Sequence, residues 1–246
     1  MTKMARHVWE GIYPVILYTV LISIIGTLLR QFTPIEEYSP MLLNAASMVI
    51  CILPMYSFYA KVATKRGKLN HLLTDLLIIV GVCALLAIGL NYLIDLLNIK
   101  EISVGFGQVT SDFNKGPRIW RLIAVGVIAP ILEEVVYRGI VFGNFKIVLN
   151  KWVAIGLSAA IFGLFHYNLP QFLYAGILGV AFAYIYDKTG QLYTCIIGHA
   201  AANVVVLLFD WYHLHRYFAA TVTTQAISGC IACIVAVILL VKWKKV

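Results

Sequence analysis

Long apolar runs recur along the chain and constrain its fold more than any other feature. A membrane-spanning helix needs about 20 mainly apolar residues. Of the 246 residues, 61% are hydrophobic and 12% charged, which excludes an ordinary soluble enzyme, a disordered chain or a disulfide scaffold. The sequence predicts an all-α polytopic transmembrane helical bundle, forming one domain over 1–246. About eight spans are predicted, at residues 12–29, 40–60, 72–98, 119–142, 152–167, 170–186, 191–208 and 219–241.

The distribution of basic residues predicts the membrane topology. With a cytoplasmic N-terminus, the inner segments hold twelve Lys and Arg and the outer segments six. Because cytoplasmic segments are enriched in Lys and Arg, we expect both termini in the cytoplasm. The net charge of +8 then needs no nucleic-acid partner. The twelve are Lys3, Arg6, Lys61, Lys65, Arg66, Lys68, Lys146, Lys151, Lys188, Lys242, Lys244 and Lys245; the six are Arg30, Lys100, Lys115, Arg118, Arg121 and Arg216.

Several polar residues in or near the spans have a structural explanation. Asp75 lies in the first turn of its helix, where a carboxylate suits the helix dipole, and Asp95 is close enough to a span end to reach the interface. Asn91 is typical of a hydrogen bond between helices. His213 and His215 are interpreted as part of an interfacial belt.

The fourth predicted span contains an acidic motif that such explanations do not cover. Glu134 and Arg138 are four residues apart, so they can pair on one helix face. Glu133 points about 100° away, and its carboxylate is expected to seek a partner on another helix. Ionisable groups inside a span are costly and by default indicate function.

Two histidine motifs lie in later spans. His166 ends an F-x-x-x-H motif that begins at Phe162, and His199 begins an H-x-x-x-N motif that ends at Asn203. Glu133, His166 and His199 lie roughly 15, 21 and 12 Å along their spans from the predicted cytoplasmic ends. We therefore expect them to converge near mid-membrane depth, closer to the cytoplasmic side.

These residue types suit the attack of water on an amide carbonyl. A Glu in a low-dielectric pocket can act as a general base near neutral pH. A neutral His beside it can orient the water, and a second His with an Asn can donate hydrogen bonds to an oxyanion. Alternatively, Glu133, His166 and His199 could hold a divalent metal such as zinc, although their spacing is not H-E-x-x-H.

The ordered motifs E-E-x-x-x-R, F-x-x-x-H and H-x-x-x-N on separate apolar helices resemble the CPBP family, the CAAX protease and bacteriocin-processing (Abi) group that includes the type II CAAX prenyl endopeptidases. The resemblance covers 133–203 and implies an intramembrane endopeptidase. It implies that Glu133 and His166 activate water and that His199 and Asn203 stabilise the oxyanion. It also implies that Glu134 and Arg138 brace the site. Family members have been described both as metalloproteases and as metal-independent glutamic proteases.

The implied substrate is a membrane-embedded or lipidated peptide or protein at the lipid bilayer. It could be a CAAX tail, a bacteriocin or a signal peptide, with a role in peptide maturation or self-immunity. Two other functions are open at this point. One is a non-catalytic bacteriocin immunity or peptide-binding protein, and the other is a proton-coupled transporter in which Glu and His relay protons. The apparent lack of a repeated half weighs against the transporter.

Overall fold

The computed structural model of the protein describes residues 1–63, 69 and 71–243. These residues are mostly helical, with no β-strand among them, which confirms the predicted all-α bundle. The longer described helical segments, numbered α1–α8, are Lys3–Phe32, Pro40–Val62, Leu72–Asp95, 118–148, Lys151–Leu164, Leu169–Thr189, Leu192–Trp211 and Val222–Lys242. Shorter helices occupy Ile35–Tyr38, Ile99–Ile102, Phe106–Asn114 and His215–Phe218.

Within the described residues, six helices are long and apolar enough to cross a membrane, namely α1, α2, α3, α6, α7 and α8. They correspond to six of the eight predicted spans. Of the other two predicted spans, α5 is apolar but has only 14 residues, and α4 is not a continuous α-helix. Some of the topology-predicting cations, Lys65, Arg66, Lys68, Lys244 and Lys245, lie outside the described residues.

The exposed faces of the long helices are apolar. On α1, the exposed residues Ile16, Val20, Ile24 and Leu28 repeat every four positions, so they form one continuous stripe. A similar stripe of exposed isoleucines runs along α8. Apolar stripes of this length suit contact with lipid rather than water, and the protein is an integral, multi-pass membrane protein.

Helix α4 alternates between α and π geometry. In the first π segment, Ala129 donates its backbone N–H to the carbonyl of Ala124, five residues earlier. Pro130 explains this widening, because in an α-helix its ring would clash with the carbonyl of Gly126 and its missing N–H would break the ladder. The successive segments are Arg118–Ile123 (α), Ala124–Ile128 (π), Ala129–Glu134 (α), Val135–Phe142 (π) and Gly143–Val148 (α).

The chain divides into two compact units, each made of two stretches of sequence. Unit 1 comprises residues 1–65 and 108–161, and unit 2 comprises 66–107 and 162–246. The acidic motif of α4 belongs to unit 1, whereas both histidine motifs belong to unit 2. The single domain expected from the sequence stays a prediction.

Unit 1 packs α4 against α1 and α2 through close contacts at small residues. A Cβ atom at Gly139 would lie 2.5 Å from Cδ2 of Tyr59, and one at Gly11 would lie 2.9 Å from Cε1 of Phe145. Only glycine therefore permits these approaches without displacement of the neighbouring helix or ring. The carboxamide oxygen of Asn144 lies 3.2 Å from Nδ1 of His7, which adds a polar contact between α1 and α4.

Unit 2 is built around α3, which packs against α6, α7 and α8. A Cβ atom at Gly89 would meet the carbonyl oxygen of Gly229 at 2.9 Å, so α3 and α8 are in backbone contact there. Near the other end of α8, the indole Nε1 of Trp243 donates a 2.7 Å hydrogen bond to Oδ1 of Asp75. Asp75 lies in the first turn of its helix, as predicted, and this hydrogen bond also anchors the residue that follows α8.

Candidate active site

The acidic motif of unit 1 contains a fully buried ion pair. Arg138 Nη1 lies 2.9 Å from Glu134 Oε1, and the two side chains are 1% and 0% exposed. This pairing was expected from the i,i+4 spacing and is present. Burying two charges requires good geometry and further hydrogen bonds to offset desolvation. The pair therefore fixes the orientation of the Glu134 and Arg138 side chains on one face of α4.

Glu133 occupies the position before the buried acid, at the last turn preceding the second π segment. Its side chain is half-buried, whereas Glu134 is completely buried. Neighbouring helical residues point about 100° apart, so the two carboxylates face different surroundings. Unit 1 thus contributes one carboxylate engaged by Arg138 and a second, more accessible one beside it.

His166 does not lie inside the fifth span as predicted, because α5 ends at Leu164 and His166 occupies the turn that follows. Its backbone N–H donates to the carbonyl of Gly163 at 3.1 Å. Tyr167 then adopts a left-handed conformation with φ of 58°, which ends the helical run. Asn168 is extended and caps α6 by accepting a 3.0 Å hydrogen bond from the N–H of Gln171. The N-L-P sequence thus interrupts the helix just where the histidine lies.

This turn selects the tautomer of His166. Its ring Nδ1 lies 3.0 Å from the backbone carbonyl oxygen of Phe162. Because a carbonyl oxygen only accepts, Nδ1 must carry the hydrogen. The Nε2 atom of the neutral ring then has a lone pair that can accept a proton or bind a metal ion. Within the turn, the Asn168 side-chain amide also donates to the backbone carbonyl of His166 at 2.8 Å.

The two motif histidines belong to one aromatic cluster within unit 2, defined as Phe162, His166, Phe182 and His199. The ring of Phe162 meets the His166 ring edge-on at a centroid distance of 5.1 Å and the His199 ring at 5.8 Å. The ring of His199 also stacks on Phe182 at a centroid distance of 4.8 Å with an interplanar angle of 21°. His166 and His199 therefore contact the same phenylalanine ring within unit 2, whereas the convergence of the three site residues at mid-membrane depth stays a prediction.

Helix α7 presents His199 and Asn203 one turn apart, as the H-x-x-x-N spacing requires. His199 is 5% exposed and Asn203 is half-buried. The helix approaches α3 closely here, since a Cβ atom at Gly198 would lie 2.8 Å from Sγ of Cys83. This packing holds the imidazole of His199 against the aromatic rings.

Sequence reasoning missed the residues that position the histidines. Phe162 was noted only as the start of a motif, yet it contacts both imidazole rings. Phe182 carried no signal, because nothing distinguishes it from other aromatic residues of an apolar helix. The capping role of Asn168 was also missed, and the N-L-P pattern is the signal that would have revealed it.

The donor types in the two units are those that zinc prefers, since imidazole nitrogen and carboxylate oxygen are common ligands. The hydrogen bond from His166 Nδ1 to a backbone carbonyl is also typical of a metal-binding histidine. Within either unit, no group of three His, Cys, Asp or Glu side chains capable of holding a metal occurs among the described residues.

Residues 115–205, which contain all three motifs, match the family described as type II CAAX prenyl endopeptidase Rce1-like. The resemblance is confirmed. The chain is 30% identical over 96 residues to the "Putative membrane peptidase YdiL" of Bacillus subtilis (strain 168), covering 39% of either chain. A second relative, the "UPF0177 protein YxdF" of Lactococcus lactis subsp. lactis (strain IL1403), is 28% identical over 121 residues. That match covers 46% of this chain and 66% of YxdF.

The family match covers the part of the chain that contains the candidate site. The Rce1-like match begins in the segment before α4 and ends within α7. The helices α1, α2, α3 and α8 lie outside it. The match to YdiL spans well under half of that protein.

Proposed function

We propose that the protein is an intramembrane endopeptidase that hydrolyses a peptide bond of a membrane-associated peptide or protein. The observation that carries the proposal is the half-buried carboxylate of Glu133 beside the buried Glu134–Arg138 pair, within the Rce1-like segment. Burying an ion pair of that kind costs desolvation free energy, so we expect such a pair where it fixes functional groups. The oriented imidazole of His166 in the same segment adds support.

In this mechanism Glu133 removes a proton from a water molecule, and Nε2 of His166 accepts a hydrogen bond from the same water. The water oxygen bonds to the carbonyl carbon, and the carbonyl oxygen becomes an oxyanion. His199 and Asn203 donate hydrogen bonds to that oxyanion. Glu133 then returns the proton to the departing amide nitrogen as the carbon–nitrogen bond breaks, so the products are a carboxyl and an amine terminus.

Glu134 and Arg138 act as positioning residues in this proposal. Their ion pair immobilises the turn of α4 that also carries Glu133. Phe162 has the corresponding role for the imidazoles, since its ring contacts both. Fixing the reacting groups before substrate binds lowers the entropic cost of reaching the transition state.

A metal-dependent form of the reaction would use the same residues. Glu133, His166 and His199 would hold a divalent ion such as zinc, which would supply Lewis-acid activation of water. The metal content of the purified protein, measured by mass spectrometry before and after chelation, separates the two forms. Stoichiometric zinc that is lost from Glu133→Gln and His166→Ala variants supports the metal-dependent form. Wild-type activity that persists in a metal-free preparation supports direct glutamate catalysis.

The substrate is a peptide held at or within the bilayer, and two chemical classes compete for the assignment. One is a prenylated C-terminal CAAX tail, and the other is an unmodified bacteriocin or signal peptide. Synthetic peptides ending in a CAAX sequence, with and without a farnesyl group on the cysteine, distinguish them. Cleavage that requires the farnesyl group assigns the first class, and equal cleavage of both peptides assigns the second.

The proposed topology has both termini in the cytoplasm of a bacterial plasma membrane, as the excess of Lys and Arg in the inner segments suggests. Fusions of alkaline phosphatase and a fluorescent protein to the C-terminus test it. Fluorescence without phosphatase activity is expected, and the reverse pattern would invert the topology.

Mutation of Glu133 and His166 tests the catalytic assignment. Membranes from cells that express wild-type protein, Glu133→Gln or His166→Ala are compared by quantitative mass spectrometry of their peptides. Since a general acid–base contributes about 10²–10⁴-fold, product peptides of the wild type are expected to fall below detection in both variants. Normal amounts of the variant proteins in the membrane would show that folding is intact.

Matched controls come from residues of the same types outside the site. Glu37 and His71 are exposed, so Glu37→Gln and His71→Gln are expected to retain wild-type peptide patterns. Wild-type levels of products from either Glu133→Gln or His166→Ala would refute the catalytic roles proposed for those residues.

A further inference from the structure

A cavity of about 220 Å³ lies within unit 2, between the C-terminal parts of α3 and α7. No residue of this cavity takes part in the proposed hydrolysis. Its volume is sufficient for the end of one long side chain or a few water molecules. Its polar lining residues are Asn91, Tyr92, Asp95, Lys100, Asp210 and His215.

The cavity shares a helix face with the candidate oxyanion residues. On α7, the positions His199, Asn203, Val206 and Asp210 follow a spacing of four, three and four residues, so they form one stripe. Val206 and Asp210 line the cavity, whereas His199 and Asn203 belong to the candidate site. With a rise of 1.5 Å per residue, Asp210 is about 10 Å along the axis from Asn203.

The two carboxylates of the cavity are in different electrostatic situations. Asp95 accepts a 2.9 Å hydrogen bond from Lys100 Nζ and a 3.0 Å hydrogen bond from Gln225 Nε2, so its charge is compensated. The exposed side chain of Asp210 makes no hydrogen bond or ion pair with any residue that the structure describes. The cavity therefore offers one uncompensated negative charge.

Tyr92 adds a second group without a partner. The residue is 8% exposed, and its hydroxyl makes no hydrogen bond within the described part of the chain. Leaving a buried hydroxyl unsatisfied costs about 1–3 kcal/mol. A ligand that offers a hydrogen-bond donor would satisfy both this oxygen and the carboxylate of Asp210.

We propose that this cavity binds a cationic side chain, Lys or Arg, of the peptide substrate. The proposal rests on the peptidase function proposed above. An extended peptide advances about 3.3 Å per residue, so about 10 Å corresponds to three residues. The cation then lies about three residues from the peptide bond whose oxyanion Asn203 stabilises.

Peptide binding by the full-length protein tests the proposal. The Glu133→Gln variant, which keeps the peptides intact, is purified in detergent and titrated with fluorescent nonapeptides. The peptides are identical except for a central Lys, Arg or norleucine. The Lys and Arg peptides are expected to bind about tenfold more tightly than the norleucine peptide, as a charge-assisted hydrogen bond provides.

Variants of the cavity complete the test. In the Glu133→Gln background, Asp210→Asn is expected to remove the tenfold preference for Lys and Arg. Tyr92→Phe in the same background is expected to reduce that preference severalfold. Glu101→Gln, at an exposed site outside the cavity lining, serves as the control and is expected to leave binding unchanged. Equal binding of the Lys and norleucine peptides, or an unchanged preference in Asp210→Asn, would overturn the proposal.

Two further measurements distinguish the cavity assignment from the proposed peptidase function and from the binding of a lipid headgroup. Cleavage of the same peptides is followed with Glu133 intact. Cleavage without a Lys preference would refute the cavity assignment alone, whereas Asp210-dependent binding without cleavage would support the cavity and refute the peptidase. Competition by phosphatidylethanolamine but not phosphatidylcholine would assign the cavity to a lipid headgroup and overturn the peptide assignment.

Discussion

The acidic motif of α4 and the aromatic cluster of unit 2 position their functional groups by different means. In α4, a carboxylate is held by a charged partner four residues away in the same helix. In unit 2, two imidazoles are held by aromatic rings and backbone groups that come from α5, α6, α7 and the turn after α5. A charge in an apolar bundle needs a dedicated counter-charge, whereas a neutral imidazole needs only contacts that fix its plane and tautomer.

The largest loss of stability is expected when the buried Glu134–Arg138 ion pair of α4 is broken. In Glu134→Ala, the buried guanidinium of Arg138 loses its ion pair, so the free energy of unfolding should fall by about 3–5 kcal/mol. The double variant Glu134→Leu/Arg138→Met removes both charges and should recover most of that loss. Thermal unfolding in detergent measures both, and a single variant as stable as the wild type would show that the pair does not support the helix.

The next largest loss of stability is expected at a close backbone contact between α5 and α6, the helices on either side of the turn that contains His166. A Cβ atom at Gly163 would lie 2.7 Å from the backbone oxygen of Phe172, so Gly163→Ala must displace α5 or α6. Overpacking of this kind costs about 1–3 kcal/mol. Gly156→Ala on the same helix meets nothing within 4 Å and is the matched control. Equal melting temperatures for the two variants would contradict the tight contact.

Substitutions in the aromatic cluster are expected to change the imidazole NMR signals of the two histidines selectively. An aromatic pair contributes about 0.5–1.5 kcal/mol beyond its buried area, and Phe162 forms such pairs with both imidazoles. Phe162→Leu should therefore shift the imidazole NMR signals of both His166 and His199. Phe182→Leu should shift mainly the signals of His199, on which Phe182 stacks. Identical patterns in the two variants would refute the arrangement of the cluster.

The smallest expected effect concerns the turn after α5. Asn168→Ala removes the cap of α6 and should cost about 1 kcal/mol. Asn168→Asp keeps an acceptor for the cap but removes the amide that donates to the His166 carbonyl. We expect Asp at this position to retain most of the stability while lowering peptidase activity. Full activity in Asn168→Asp would show that this hydrogen bond does not position His166.

The same contrast explains which features were predictable from the sequence. The Glu134–Arg138 pair follows from local spacing, and the six long apolar helices follow from composition and length. The π geometry of α4 was missed because an apolar run has the same hydropathy in either helix type. The end of α5 before His166 was missed although the N-L-P pattern that follows it is typical of a turn. The role of Phe182 depends on contacts between separate helices, which single-helix periodicity does not encode.

The cavity of unit 2 was missed for a related reason. Asp95 and His215 each have an adequate explanation when considered alone, as charged or polar residues near the end of a span. Their connection with Tyr92 and Asp210 appears only when α3 and α7 are packed together. A pair of charges within one helix can be recognised from the spacing of its residues. A cavity between two helices can be recognised only when the packing of those helices is known.

The π segments of α4 also bear on how the chain tolerates insertions and deletions. A π turn closes its hydrogen bond over one more residue than an α turn, so it absorbs an extra residue locally and leaves the faces on either side nearly unrotated. Loss of one residue from Val135–Phe142 would allow that segment to adopt α geometry. The same loss in the middle of α3 would turn everything beyond it by about 100°. Helix α4 can therefore change length by one residue with less disruption than its α-helical neighbours.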